Sequence, residues 1–194
     1  ATVGCIERVG MFDSNLYTDR QEWIYFTVLL TNSKTTILYR LKFGQYMNAI
    51  PTVGFNCEKI EGKVGKVKGV SFTIWDIGGK DNMRPLWKSY LRSADGIIFV
   101  IDSSDKERME EAKIELNKFV KSHNTSKLPT LVIANKQDLQ EALDPEEIEK
   151  MLSIQEISMS HPLHFLPACA VTGEGLSEAM DIILKNKSLS LCKI

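Results

Sequence analysis

The chain has 194 residues, a formal net charge of −1 and 25% charged residues. This length fits one domain with a large buried core, and the near-zero charge argues against a general affinity for nucleic acid or acidic substrates. The four cysteines lack the C-x-x-C spacing of metal and redox sites, which favours a reduced, cytosolic compartment. No signal peptide or uninterrupted apolar stretch of membrane-spanning length is present, so the sequence predicts no transmembrane helix.

Strand-like and helix-like patterns alternate along the chain. In chain order they predict a strand at 24–30, a helix at 34–43, a strand pair at 55–62 and 69–76, a helix at 84–92, a strand at 96–102, a helix at 106–122, a strand at 129–135, a short helix at 145–152, a strand at 163–168 and a helix at 174–186. The pair 55–76 turns near Gly65 and is predicted to be antiparallel. The pattern therefore indicates an α/β fold, with a mostly parallel six-stranded sheet, one antiparallel hairpin and helices on both faces.

The start of the first predicted helix carries residues suited to phosphate. Lys34 at a helix N-terminus can meet β- and γ-phosphates, and the adjacent hydroxyl of Thr35 can ligate Mg²⁺. A full phosphate loop reads G-x-x-x-x-G-K-[ST], and counting back from Lys34 puts Val28 and Ser33 where its glycines belong. A Cβ disfavours the conformations with which this loop wraps phosphate. The sequence therefore predicts a damaged loop, with the β-branched Val28 as the worse position.

Further polar residues stand at a strand end and in a loop. Asp76 ends the predicted strand 69–76, and a carboxylate there usually holds Mg²⁺ through water in phosphate-loop nucleotidases. The N–H of the nearby Gly79 is suited to a γ-phosphate. Thr52 is expected to be a second hydroxyl ligand of the metal, delivered by a mobile loop.

The strand 129–135 ends in Asn-Lys-Gln-Asp, a sequence suited to guanine. The carboxylate of Asp138 is acceptor-only and can take the hydrogen-bond pair that guanine offers on N1 and N2, whereas adenine offers no such pair. Asn135 can bond the other edge of the base, and the stem of Lys136 can lie along the ring. After the strand 163–168, three backbone N–H groups are expected to face guanine O6: those of Cys169, Ala170 and Val171.

Over roughly residues 34 to 187 the chain resembles the Arf family of small GTPases. The resemblance rests on 51–56 (PTVGFN), 75–79 (WDIGG), 84–87 (RPLW), 102–103 (DS) and 134–138 (ANKQD). The long segment between Phe55 and Trp75 is most similar to the Arf-like branch with a long interswitch hairpin. The resemblance implies a Ras-like phosphate-loop NTPase domain that binds GTP/GDP with Mg²⁺. The phosphate-binding residues would be Asn32, Ser33, Lys34, Thr35, Thr36 and Gly79, and the metal would be held by Thr35, Thr52 and, through water, Asp76.

The resemblance also implies an effector surface and a catalytic position. Phe55, Trp75 and Tyr90 would form an exposed aromatic trio, although each also fits a core position, and for Trp75 the two readings are evenly balanced. Lys80, next to Gly79, stands where most family members carry a Gln that orients the attacking water. An ammonium only donates hydrogen bonds, so slow intrinsic hydrolysis is expected. The partners implied are protein effectors, an exchange factor and an activating protein, with a monomeric chain and no nucleic acid.

The family motifs quoted above have no counterpart in residues 1–23. We expect an atypical N-terminal segment at 1–22, a small GTPase domain at 23–187 and a short C-terminal tail at 188–194. The expected location is cytoplasmic, with peripheral membrane contact as the alternative, because the start shows neither a glycine at position 2 nor a leucine-rich amphipathic helix. Two functions stay open: a guanine-nucleotide switch, and a pseudo-GTPase binding module that keeps the effector surface but binds nucleotide weakly. Asp138 argues against a third function, that of an enzyme that uses ATP.

Overall fold

The computed structural model describes residues 22–28, 33–48, 54–61, 71–78, 87, 91, 94–122 and 128–191. The strands are β1 (Glu22–Val28), β2 (Phe55–Glu61), β3 (Ser71–Ile77), β4 (Gly96–Asp102), β5 (Thr130–Asn135) and β6 (Leu163–Pro167). The helices are α1 (Ser33–Phe43), α2 (Met109–Val120), α3 (Pro145–Leu152), α4 (Ile154–Ser158) and α5 (Leu176–Leu191). A 3₁₀ turn at Lys106–Arg108 leads into α2.

The described strands form one sheet in the order β2-β3-β1-β4-β5-β6. Neighbouring strands are parallel except β2, which pairs antiparallel with β3. Every residue of β4 and β5 is buried, as expected for central strands covered on both faces. The predicted α/β fold, mostly parallel with one antiparallel hairpin, is therefore confirmed.

The core consists of two apolar clusters on opposite faces of the sheet. Alternate residues of β4 separate into the two clusters, because successive side chains of a strand point to opposite faces. Ile98 and Val100 pack with α1 and α5, whereas Ile97 and Phe99 pack with α2 and α3. A buried side chain of this size stabilises the fold by about 1.5–3 kcal/mol, so both helix layers are firmly attached to the sheet.

Most predicted boundaries lie within three residues of the observed ones, and two features differ. The helix predicted at 174–186 continues to Leu191, so four residues of the tail predicted at 188–194 are helical. No Gly or Pro follows residue 186 to stop this helix. The short helix α4 was not predicted, because five residues are too few to show helical periodicity. Of the helix predicted at 84–92, the structure describes Trp87 and Leu91, both helical.

Within the described ranges, none of the helices combines the length and apolar character needed to cross a bilayer.

Candidate nucleotide-binding site

The polar residues singled out in the sequence lie at the carboxyl ends of the parallel strands. Asp76 is near the end of β3, Asp102 ends β4 and Asn135 ends β5. Register places Asp102 directly beside Asn135. In open α/β sheets ligands bind at this edge, so the fold brings these side chains to the expected location.

Asp76 stands at the phosphate side of this edge. Its carboxylate is fully buried, at 0% exposure. Thr35, in the first turn of α1, donates its hydroxyl to Asp76 Oδ2. The side-chain amide of Asn56, which pairs with Asp76 across the hairpin, donates to the same oxygen at 3.1 Å. A hydroxyl and a carboxylate are oxygen donors of the kind that Mg²⁺ prefers, so Thr35 and Asp76 fit the metal in their donor chemistry.

Asn135 and Lys136 stand at the base side. Asn135 is 2% exposed, and its Oδ1 accepts the backbone N–H of Ala170 at 2.8 Å. Lys136 has φ 71°, a left-handed conformation that non-glycine residues rarely adopt. Its ammonium lies 2.6 Å from Asp102 Oδ2. The turn after β5 is therefore fixed from two sides, by β4 and by the loop after β6.

Asp102 belongs to a family motif, but the sequence did not predict its contacts. Its Oδ1 accepts the backbone N–H of Ser104 at 3.1 Å and the Ser104 hydroxyl at 2.6 Å. With Oδ1 held in this way, Oδ2 remains directed at Lys136. The available signal was its position at a strand end, next to the strand that precedes the Asn-Lys-Gln-Asp sequence.

Gln137 and Ser103 add further contacts between strand ends. The Gln137 side chain donates to the Ser103 hydroxyl at 2.8 Å, and its backbone N–H donates to the Ala168 carbonyl at 3.3 Å. The backbone N–H of Ser103 donates to the Asn135 carbonyl at 3.0 Å. These bonds join the ends of β4, β5 and β6 into one framework, which leaves Asp138 exposed at its surface.

The loop after β6 folds back on itself. The N–H of Gly173 donates to the Cys169 carbonyl at 2.8 Å, and the N–H of Cys169 donates to the Glu174 carbonyl at 3.1 Å. Cys169 is buried, and its thiol donates to Asp138 Oδ1 at 3.1 Å. In this structure the N–H of Cys169 is bonded within the loop, to the Glu174 carbonyl, and the N–H of Ala170 is bonded to Asn135 Oδ1 at the end of β5. Val171 is half exposed.

Several predicted site residues lie outside the described part of the chain: Asn32, Thr52, Gly79, Lys80 and Tyr90. Ser33 and Lys34 are the first two residues of α1, so the lysine stands at the helix N-terminus as predicted. Thr36 follows Thr35 and is buried.

Val28 does not carry the strain that its loop position suggested. It is the last residue of β1 and pairs with Val100 of β4. Extended strand backbone suits β-branched residues, so the backbone strain expected at Val28 is not found, whereas the effect of Val28 on phosphate binding stays a prediction.

The aromatic residues of the hairpin pack inward. Trp75 is 9% exposed and belongs to the hydrophobic cluster against α2, so a core position describes it in this structure. Phe55 is half buried, with its ring centroid 5.3 Å from that of Trp75. Nearby, the buried Trp87 donates its indole N–H to the Gly78 carbonyl at 3.1 Å, which fixes the end of β3.

The mostly parallel sheet with its antiparallel hairpin defines a Ras-like small GTPase fold. Residues 10–187 match the ADP-ribosylation factor family, and the chain belongs to this Arf family of small GTPases. Human ADP-ribosylation factor-like protein 4A is 47% identical over 180 residues, which cover 91% of this chain and 90% of the relative. Human ADP-ribosylation factor-like protein 4C is 48% identical over 186 residues, covering 93% and 97%.

A solved structure agrees with this assignment. The chain is similar to the Arl6 BBS3 small GTPase from Trypanosoma brucei with bound nucleotide analogue GppNp, at a TM-score of 0.77 and 28% identity. The similarity covers 88% of this chain and 99% of that chain. The Arf-like resemblance of the sequence is therefore confirmed, and with it membership of a family that binds guanine nucleotide.

Proposed function

We propose that this chain is an Arf-like molecular switch that binds GTP or GDP with Mg²⁺, recruits protein effectors in membrane traffic or signalling, and hydrolyses GTP slowly. The observation that carries the proposal is that one sheet edge holds both groups of residues. Thr35 and Asp76 are in contact on the phosphate side, and Asn135, Lys136 and Asp138 share one bonded framework on the base side. Nucleotides combine a base with phosphates, so this arrangement suits them.

On the base side, the proposal assigns guanine selection to Asp138. Asp138 is an exposed residue, so its carboxylate, whose Oδ1 accepts the Cys169 thiol, is accessible to a ligand. Asn135, held by Ala170, would bond the other edge of the base, and the Lys136 stem would lie along the ring. Adenine lacks the two adjacent donors, so ATP and ADP should bind poorly.

On the phosphate side, Lys34 and the first N–H groups of α1 would bind the phosphates. Thr35, Thr52 and, through water, Asp76 would hold Mg²⁺, which neutralises phosphate charge when bound. The N–H of Gly79 would meet the γ-phosphate. Thr52 and Gly79 would thus contact the metal and the γ-phosphate in the GTP form. In the GDP form, which lacks the γ-phosphate, their segments would lose these contacts.

The effector surface is proposed on the hairpin and the segment after it. Phe55 is half buried beside the buried Trp75. Exposure of these rings and of Tyr90 in the GTP form would create an aromatic surface for effectors. An exchange factor and an activating protein would control the cycle, and slow intrinsic hydrolysis is proposed because Lys80 stands at the water-orienting position.

A second candidate is a pseudo-GTPase that binds nucleotide weakly. The observation that favours it is the absence of glycine from residues 28–33, with Ser33 immediately before Lys34. The two candidates differ in the nucleotide carried by purified protein. Chromatography of the denatured supernatant should recover GDP or GTP near one per chain for the switch, whereas a folded but empty protein would support the pseudo-GTPase.

Base selection is tested by Asp138→Asn. The substitution places an N–H donor opposite the N1–H and N2–H donors of guanine and should cost about 2–4 kcal/mol of GTP binding. Xanthine nucleotide, with a carbonyl at position 2, should then be preferred. Competition of XTP and GTP against a fluorescent nucleotide measures this change of base preference. Equal GTP affinity in the parent and the variant would refute the assignment.

A further inference from the structure

A path of hydrogen bonds connects helix α1 with the carboxylate of Asp138. The guanidinium of Arg40, on α1, donates from Nη2 to the Thr172 carbonyl. The N–H of Thr172 donates to Cys169 Sγ at 3.3 Å, and the Cys169 thiol donates to Asp138 Oδ1 at 3.1 Å. The first and last bonds join the loop after β6 to α1 and to Asp138, and the middle bond lies within the loop, so the path from Arg40 to Asp138 is continuous.

Gly173 makes room for Arg40. It has φ 90°, and a Cβ placed there would lie 2.9 Å from Arg40 Nε and 3.0 Å from Nη2. The first distance is shorter than real Cβ contacts, so any other residue would displace the guanidinium. Two features of this position, its backbone conformation and its closeness to Arg40, therefore favour glycine.

The thiol contact matters because a carboxylate rotates about its terminal bond. An ionised carboxylate has about four acceptor sites on its two oxygens. Donation from Cys169 to Oδ1 occupies one of these sites and limits rotation, which leaves the other sites in a defined direction. Cys169 Sγ in turn accepts the N–H of Thr172, and the carbonyl of Thr172 accepts the Arg40 guanidinium.

We propose that Arg40 is a positioning residue for guanine recognition, acting through Thr172 and Cys169 on Asp138. The inference rests on the proposed guanine-binding function of Asp138. Arg40 lies on the same helix as Thr35, which contacts Asp76, so α1 connects the phosphate side of the site with the base side.

The test compares GDP with IDP on the full chain. Inosine lacks the 2-amino group of guanine, so it offers Asp138 one donor instead of two, and the GDP:IDP affinity ratio reports how well the carboxylate is aligned. Arg40→Ala should lower this ratio by about three- to tenfold, the effect of one hydrogen bond. Arg40→Lys, which keeps a cationic donor, should restore part of the ratio. Competition of each nucleotide against fluorescent GDP measures it, and circular dichroism verifies folding.

Two glycine variants separate contact from strain. Gly173→Ala should lower the ratio, because its Cβ displaces Arg40, and should add nothing in the Arg40→Ala background. Gly44→Ala is the matched control: Gly44 also has positive φ, at 75°, but a Cβ there meets nothing within 4 Å. This control should leave the ratio unchanged.

The outcomes separate a failure of the inference about Arg40 from a failure of the proposed function. If the parent prefers GDP to IDP and Arg40→Ala lowers both affinities by the same factor, Arg40 has only a structural role. This result would overturn the inference but not the proposed function. A parent that shows no preference for GDP over ADP would overturn the proposed function, and the inference with it.

Discussion

Lys136 combines an unfavourable backbone conformation with a short-range ion pair. A left-handed conformation at a non-glycine residue costs about 1–3 kcal/mol and persists only where its surroundings impose it. Here the Lys136–Asp102 contact at 2.6 Å and the neighbouring bonds of Gln137 impose it. The turn takes the chain from the buried Asn135 to the exposed Asp138 within three residues. Such strain is frequent at binding sites and supports the proposed placement of the base.

Lys80 is the residue at which hydrolysis is expected to be limited. Lys80→Gln should raise the intrinsic rate by about tenfold or more, because the amide both accepts from and donates to the attacking water. Single-turnover hydrolysis of GTP measures the rate. Lys80→Met is the matched control, since it removes the charge without supplying an acceptor and should stay slow. Equal rates for all three proteins would mean that the phosphate loop, rather than Lys80, sets the rate.

Helix α3 has a well-defined N-terminal cap. The Asp144 carboxylate accepts the N–H of Glu146 at 2.9 Å, and Pro145 occupies the first helical turn. Ser153 ends the helix with φ 55°, and Ile148 and Leu152 are fully buried against the sheet. The capping residues therefore define where this helix begins and ends, and the helix packs against α2 and β6.

The contribution of this cap can be measured. Asp144→Ala should lower the free energy of unfolding by about 1 kcal/mol, because one N–H at the helix start loses its acceptor. For a domain of this size the midpoint of thermal unfolding should fall by about 2–4 °C. Asp144→Asn and Asp144→Ser retain an acceptor and should stay close to the parent. A fall as large in Asp144→Asn would mean that the charge rather than the cap stabilises the helix.

Local sequence patterns predicted the helices and strands, whereas the side-chain contacts between distant segments depend on strand register and packing. The apolar runs of β4 and β5 and the acceptor chemistry of Asp138 are properties of neighbouring residues, so the sequence revealed them. The Asp102–Lys136 pair depends on the register of two strands, and the Arg40–Thr172 bond joins residues 132 positions apart. The backbone strain assumed at Val28 is not found, because Val28 is the last residue of β1 and pairs in register with Val100.

Several of the described elements meet at the sheet edge where the nucleotide is proposed to bind. Helix α1, strand β3 and the loops after β5 and β6 all converge on the same sheet edge, although Arg40 of α1 and Thr172 after β6 are 132 positions apart in the chain. A nucleotide that contacts all of them would bind only the folded chain. Its binding free energy would then add to the stability of the entire domain.

This coupling predicts a ligand-dependent melting temperature. At a GDP concentration of 100 times Kd, with Mg²⁺, the gain should be about 2.7 kcal/mol, whereas ADP at the same concentration should leave the midpoint unchanged. Lys34→Ala removes the cation at the start of α1 and should abolish the GDP effect without lowering the midpoint of the ligand-free protein. Differential scanning calorimetry measures both quantities. A parent that melts at the same temperature with and without GDP would favour the pseudo-GTPase, whereas an equal shift with ADP would remove Asp138 as the selector of the base.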